Sequence, residues 1–151
     1  QRQMCIRDSS ILKPSPARNL PEELLKGIYI LVPNEEEAGI LCPGLSSPEE
    51  QTAYFLDKGV ENVIITMGPA GCLWANAEEI RRYPAHPFPC VDSTGASDVF
   101  ISCLAVMLAE GKEIEDAIHA ASWASSYSVA QEGVQNSIPE RVLLDEFLQK
   151  T

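Results

Sequence analysis

Two short, unbroken apolar runs limit what this chain can fold into more than any other feature. Residues 28–32 read Ile-Tyr-Ile-Leu-Val, and residues 62–67 read Asn-Val-Ile-Ile-Thr-Met. Neither run alternates polar with apolar positions. Each is therefore read as a strand buried on both faces, and such strands belong to parallel sheets covered by helices. The segments around them carry helix signals. Residues 21–27 put Pro in the first turn and Gly at the end. Asn34 opens a short helix with Glu35, Glu36 and Glu37 in its first turn, where the dipole favours carboxylates. Ser47 caps, and Pro48 opens, a helix over 47–58 that Gly59 ends. Further helices are expected over 95–110, 114–131 and 139–149. Residues 9–13 read as the stump of a strand, 72–75 and 80–83 as antiparallel strands, and 84–89 as extended chain. The expected class is α/β, a mainly parallel sheet with helices on both faces. Ligands in such sheets bind at the carboxyl ends of the strands. Asn34, Gly68 and the turn at 92–98 are thus expected to converge on one edge.

Composition removes several function classes. A chain of 151 residues with 45% hydrophobic residues can build one core, and no apolar run approaches the ~20 residues of a membrane span. A net charge of −11 argues against nucleic acid and anionic membranes, which are gripped by clustered Lys and Arg. The five cysteines, at 5, 42, 72, 90 and 103, form no C-x-x-C pair. They read as reduced thiols acting as small hydrophobes in a cytoplasmic protein. His86 and His119 lack metal-ligand spacing and are read as non-catalytic. Trp123 and Tyr127, four apart on one helix, are read as packing groups rather than a nucleotide platform.

The run Val91-Asp92-Ser93-Thr94-Gly95-Ala96-Ser97-Asp98-Val99-Phe100 carries the chemistry. A turn of small residues leads straight into an apolar helix. Unpaired N–H groups at a helix start, with the dipole behind them, can cradle a phosphate or a developing anion. Asp98 stands beside that cradle, able to take a proton from a hydroxyl. An anion cradle next to a general base is what phosphoryl transfer to an alcohol requires. The plain alternative is a capped helix start.

This run resembles the D-[ST]-x-[GA]-A-G-D-x-F signature of the ribokinase-like (PfkB) carbohydrate kinases. Four other segments match the family in order. Lys13-Pro14-Ser15-Pro16-Ala17-Arg18 is similar to its N-P-A-P-A-R, and Pro33-Asn34-Glu35-Glu36-Glu37-Ala38 to its P-N-x-x-E-A. Ile64-Ile65-Thr66-Met67-Gly68-Pro69-Ala70-Gly71 is similar to its I-T-x-G-x-x-G. Gly133-Val134-Gln135-Asn136-Ser137-Ile138-Pro139 is similar to its G-A-Q-x-S-x-P. The resemblance implies Asp98 as catalytic base and Gly95, Ala96 and Ser97 as the anion hole. It implies nucleotide contacts from Asn34, Thr66, Gly68 and Gly71, and places Ser122 near the adenine, where the family often has Asn or His. Glu37 joins Asn34 in the Mg²⁺ and phosphate network, mostly through water. A monovalent cation, usually K⁺, is implied at the Asp92 carboxylate, the carbonyls near Thr94, Ser128, Gln131 and Gly133, and Ser137. One departure stands out: the family has Gly where this chain has Ser97. A serine fits only if its φ is negative.

The matches span residues 13–139 and correspond to the C-terminal half of the family pattern. Residues 1–10 match none of it and read as a non-native leader, which leaves 11–151 as the nucleotide-binding and catalytic part. The function implied is ATP-dependent phosphorylation of a sugar hydroxyl, ribose first, with fructose, adenosine or pseudouridine types as alternatives. The competing class is a nucleotide-binding module without catalysis. Without the family's other half, the chain by itself is expected to be inactive. Family members often dimerise through a lid sheet that none of these segments contains.

Overall fold

The computed structural model describes residues 10–150; the leader proposed at 1–10 lies outside the described residues except for Ser10. The elements are, in chain order, β1 (Ile11–Leu12), α1 (Glu22–Leu25), β2 (Ile30–Leu31), α2 (Glu35–Leu41), α3 (Pro48–Asp57), β3 (Asn62–Thr66), a 3-10 turn (Gly68–Ala70), β4 (Cys72–Ala75), β5 (Ile80–Tyr83), α4 (Ala96–Ala109), α5 (Ile114–Ser128) and α6 (Arg141–Leu148). Five strands lie in the order β1-β2-β3-β4-β5. β1 pairs with β2 and β2 with β3, both in parallel, with Ile11 opposite Ile30 and Ile30 opposite Asn62. The links from β3 to β4 and from β4 to β5 are too short for a parallel crossover, so the sheet is mixed. The α/β class expected from the apolar runs is the class observed.

The chain divides into two compact units, one running up to Ile65 with Trp74–Ile80, the other comprising Thr66–Leu73 and the residues from Arg81 onward. In the first unit, Ile30, Leu31, Val63, Ile64 and Ile65 are fully buried, as unbroken apolar strands require. Asn62 is the polar exception. Its Nδ2 donates to Tyr29 O at 3.3 Å and its Oδ1 accepts from Trp74 Nε1 at 3.1 Å, so the buried amide is satisfied at both ends. α2 and α3 both begin with capping boxes. Asn34 and Glu37 bond reciprocally, as do Ser47 and Glu50.

In the second unit, α5 packs along α4. Ala117, Ala120, Ala121 and Ala124 repeat at helical spacing and are all buried, so the small side chains let the two helices approach closely. α5 ends at Ser128, three residues before the expected end. The reason is a tertiary contact: Val129 O is used by another segment, accepting from Val91 N at 2.7 Å and Asp92 N at 3.0 Å. α6 starts at Arg141 rather than 139, with Glu140 at its N-cap. In the first unit, Pro21 likewise stands at the N-cap of α1 rather than inside its first turn. Among the described residues no helix is long and apolar enough to cross a membrane.

Candidate active site

The 92–98 turn is built by two chain segments that grip each other. Val129 O holds the Val91 and Asp92 amides. The Asp92 carboxylate closes the turn by accepting from Thr94 N at 2.9 Å. The Thr94 N–H and hydroxyl, with the Gly133 N–H, hold this carboxyl below the usual aspartate range. Gly95 then reverses the chain with φ 80° and ψ −2°, in the left-handed region. A Cβ there would be strained by that φ and would lie 2.9 Å from Val134 Cγ1. α4 starts immediately after it.

This helix start is open. No side chain caps it among the described residues. Ala96 N donates to Ser93 O at 3.2 Å, and both Asp98 N and Val99 N donate to Gly95 O at 2.9 Å, while the Ser97 N–H has no main-chain acceptor among the described residues. Ser97 lies in the first turn of α4, and no described non-glycine residue has a positive φ. The serine in place of the family glycine is therefore accommodated by the backbone. Asp98, one residue on, is exposed. It lies at a cavity of about 270 Å³ whose lining includes Gly95, Ser102, Cys103, Val134 and Arg141. Burial pushes the Cys103 thiol up to about 11, so it stands there as an un-ionised, inert group.

The residues assigned to a monovalent cation lie on these same two segments. Ser137 is buried, and its hydroxyl donates to Val134 O at 2.8 Å, leaving its oxygen lone pairs available. Ser128 Oγ donates to Ser125 O, and Ser128 O accepts from Gln131 N at 3.1 Å. With the Asp92 carboxylate and the main-chain carbonyls this makes an all-oxygen donor set, the chemistry a hard cation takes.

Asn34 and Glu37 lie at the start of α2, in the first unit. Asn34 Oδ1 accepts from Glu37 N at 2.7 Å and Glu37 Oε2 from Asn34 N at 2.8 Å. Glu37 is buried, and Lys13 Nζ reaches its two oxygens at 3.3 and 3.2 Å. The carboxylate keeps lone pairs that suit a water-mediated role beside Mg²⁺, not a dedicated inner coordination shell. Sequence reading found Asn34 and Glu37 but missed Lys13.

Thr66 ends β3, and the turn after it closes on itself through Met67 N to Gly71 O and Gly71 N to Gly68 O. Gly68 is exposed with φ 52°. Gly71 has a packing reason of its own, since a Cβ there would lie 1.9 Å from Tyr83 O. Ser122 is buried, with its hydroxyl donating to Pro84 O at 3.3 Å. Trp123 stacks on Tyr127 and on Phe147, with ring centroids 5.4 and 5.0 Å apart, so both α5 aromatics are packing groups. His86 and His119 sit 5.5 Å apart, both against Phe147. The described residues contain no cluster of three metal-ligating side chains.

These features, a glycine turn, an open helix start and a carboxylate in its first turn, belong to an α/β chain whose relatives identify its class. The pfkB family carbohydrate kinase model matches residues 1–141, and the chain belongs to that family. It is 41% identical over 138 residues to the bifunctional ribokinase/ribose-5-phosphate isomerase A of Fructilactobacillus sanfranciscensis, covering 87% of this chain and 25% of that protein. It is 39% identical over 138 residues to the ribokinase of Bacillus subtilis, covering 91% of this chain and 45% of the relative. The chain thus spans less than half the length of either. Among solved structures, the ribokinase of Thermotoga maritima superposes with a TM-score of 0.88 at 36% identity, over 93% of this chain and 49% of that one. The Arabidopsis thaliana ribokinase complexed with ribose and ATP gives 0.87 at 30% identity, over 93% and 47%. A putative ribokinase II of E. coli in complex with ATP and Mg²⁺ gives 0.76 at 28% identity, over 86% and 42%.

Proposed function

We propose that the whole protein containing this chain transfers the γ-phosphoryl group of ATP to a sugar hydroxyl, with ribose as the acceptor, and that residues 11–151 supply its nucleotide-binding and catalytic part. The observation that carries this reading is the start of α4. After the left-handed Gly95, the Ser97 N–H has no main-chain acceptor among the described residues, and Asp98 stands exposed in the same turn. In the proposed reaction the acceptor O–H gives its proton to the Asp98 carboxylate as the new O–P bond forms. The bond between the γ-phosphorus and the β–γ bridging oxygen breaks, and ADP departs. The Gly95, Ala96 and Ser97 amides steady the charge on the transferring group, so that catalysis is positioning and electrostatics.

Asn34, Thr66, Gly68, Gly71 and Ser122 are the proposed nucleotide contacts. Glu37 and Asn34 are the oxygens that would face Mg²⁺ through water; when bound, the ion would neutralise phosphate charge. Asp92, Ser137 and the carbonyls of Thr94, Ser128, Gln131 and Gly133 would hold K⁺. The names of the relatives support ribose over other sugars. The competing reading, a nucleotide-binding module without catalysis, rests on Ser97, where the family has Gly, and on the chain spanning less than half the length of its relatives.

A thermal melt of the chain with Mg-ATP and K⁺ tests the nucleotide part. A ligand at about 100 times its Kd adds roughly 2.7 kcal/mol to stability, so a clear rise in Tm is expected, and a cooperative melt that ATP leaves unmoved would refute the assignment. ATP-dependent phosphorylation of ribose by the whole protein is the companion assay. A Tm shift without any transfer would favour the binding module.

A further inference from the structure

Lys13 stands where the family pattern N-P-A-P-A-R has Asn. Its ammonium approaches both oxygens of Glu37, at 3.2 and 3.3 Å, and only about a tenth of either side chain is exposed. Glu37 is pinned a second time by the Asn34 amide, which donates to Oε2 at 2.8 Å. One feature sets this pair apart from the other ion pairs seen among the described residues: it is shielded from water, where charges act on each other more strongly than at a surface. The Lys13 charge therefore acts on whatever else approaches the Glu37 carboxylate.

We propose that Lys13 is a positioning residue for Glu37 and a built-in cation that sets how much Mg²⁺ the nucleotide site demands. This rests on the reading of Glu37 as part of the Mg²⁺ and phosphate network. Lys13 holds the carboxylate in one orientation and already neutralises it, so a divalent ion arriving nearby meets a carboxylate with less free negative charge and a like charge beside it. The direction follows from Coulomb's law: removing the ammonium tightens Mg²⁺ binding. Lys13 thus trades divalent-ion affinity for a carboxylate that is ordered before any ion arrives.

The test is the melting temperature of the chain titrated with MgCl₂, with and without a fixed concentration of ATP, for the wild type, Lys13→Asn and Lys13→Arg. Lys13→Asn is expected to reach half of its Mg²⁺-dependent rise in Tm at about tenfold lower Mg²⁺ than the wild type. Lys13→Arg, which keeps the charge, is expected to follow the wild type within about twofold. A pair with a structural role alone would lower Tm equally at every Mg²⁺ concentration, and that result overturns the proposal. So does a Lys13→Asn variant that needs the same or more Mg²⁺, or the absence of any Mg²⁺ response in all three proteins. If Lys13→Asn shows no cooperative melt without Mg²⁺, recovery of the melt at millimolar Mg²⁺ supports the proposal and failure to recover refutes it. The kinase reading fails separately: no ATP-dependent shift and no phosphorylation of ribose by the whole protein, with the Mg²⁺ difference intact, would remove the proposed function and leave Lys13 as a regulator of a divalent-cation site.

Discussion

Two helix starts in this chain follow opposite plans. α2 begins closed: Asn34 and Glu37 satisfy each other's amides, and Lys13 covers the carboxylate. α4 begins open: a left-handed glycine replaces the side-chain cap, and the Ser97 amide keeps no main-chain partner among the described residues. A closed start is held by side chains and keeps its shape without a ligand. An open start is held by backbone geometry and leaves a donor, here the Ser97 amide, for a ligand. The contrast shows where a helix dipole is available for binding: at the start whose own residues do not use it.

The largest expected effect comes from removing the one charge at the open start. In the whole protein, Asp98→Asn should lower phosphoryl transfer by about 10²–10⁴-fold, the usual contribution of a general base, while ATP still raises Tm; wild-type turnover would end the assignment of Asp98. Next, Gly95→Ala should destabilise the fold by about 2–3 kcal/mol, from the left-handed φ and the crowding against Val134, read by chemical denaturation. Asn34→Ala, the matching change at the closed start, should cost about 1 kcal/mol, the ordinary value of a lost cap. An equal or larger loss at Asn34 would mean that side-chain capping and backbone geometry contribute alike.

Acid gives a smaller effect, confined to the unit that carries α4. Burial and the neighbouring His119 hold the His86 imidazole below its usual value of 6.5. The unfolded chain then takes up protons more readily than the folded one. The stability contributed by neutral His86 is complete above about pH 6.5 and is lost as the pH falls through the lower, folded value. His86→Phe should flatten Tm against pH between 7 and 5, and an unchanged slope would exclude His86 as the source. The smallest expected change is at Ser97. Since the backbone accommodates the serine, Ser97→Gly should leave turnover within about threefold or raise it; a large loss would show that the hydroxyl takes part in catalysis.

The sequence made some of this legible and hid the rest for physical reasons. The runs at 28–32 and 62–67 announced buried strands because burial on both faces leaves no room for polar alternation. Ser47 and Pro48 announced α3 because capping is local chemistry. Asn34, Glu37, Gly95 and Asp98 were visible because motif and neighbourhood coincide. Lys13 was not visible as the partner of Glu37, since a pair 24 residues apart has no periodic signature. Val129 was invisible for a different reason: it acts through its carbonyl, which every residue has. Val134 meets Gly95 through its side chain, but from a distant part of the sequence that no local pattern connects to the turn. The early end of α5 at Ser128 could not be read locally either, because the demand for the Val129 carbonyl comes from Val91 and Asp92, nearly forty residues upstream.

Among the described residues β5 is the last strand in the sheet order, and that has a consequence for how this chain behaves in a crowded solution. β5 reads Ile-Arg-Arg-Tyr, with Ile80, Arg81 and Arg82 exposed, and Arg81 pairs with Glu115 on α5. A terminal strand offers its main chain as a template on which another polypeptide can add a strand, and bulky charged side chains along it are a standard deterrent. The two arginines are thus a guard against sheet extension. Replacing both with valine would be expected to turn a quiet border into a seed for aggregation, with little change to anything inside the fold.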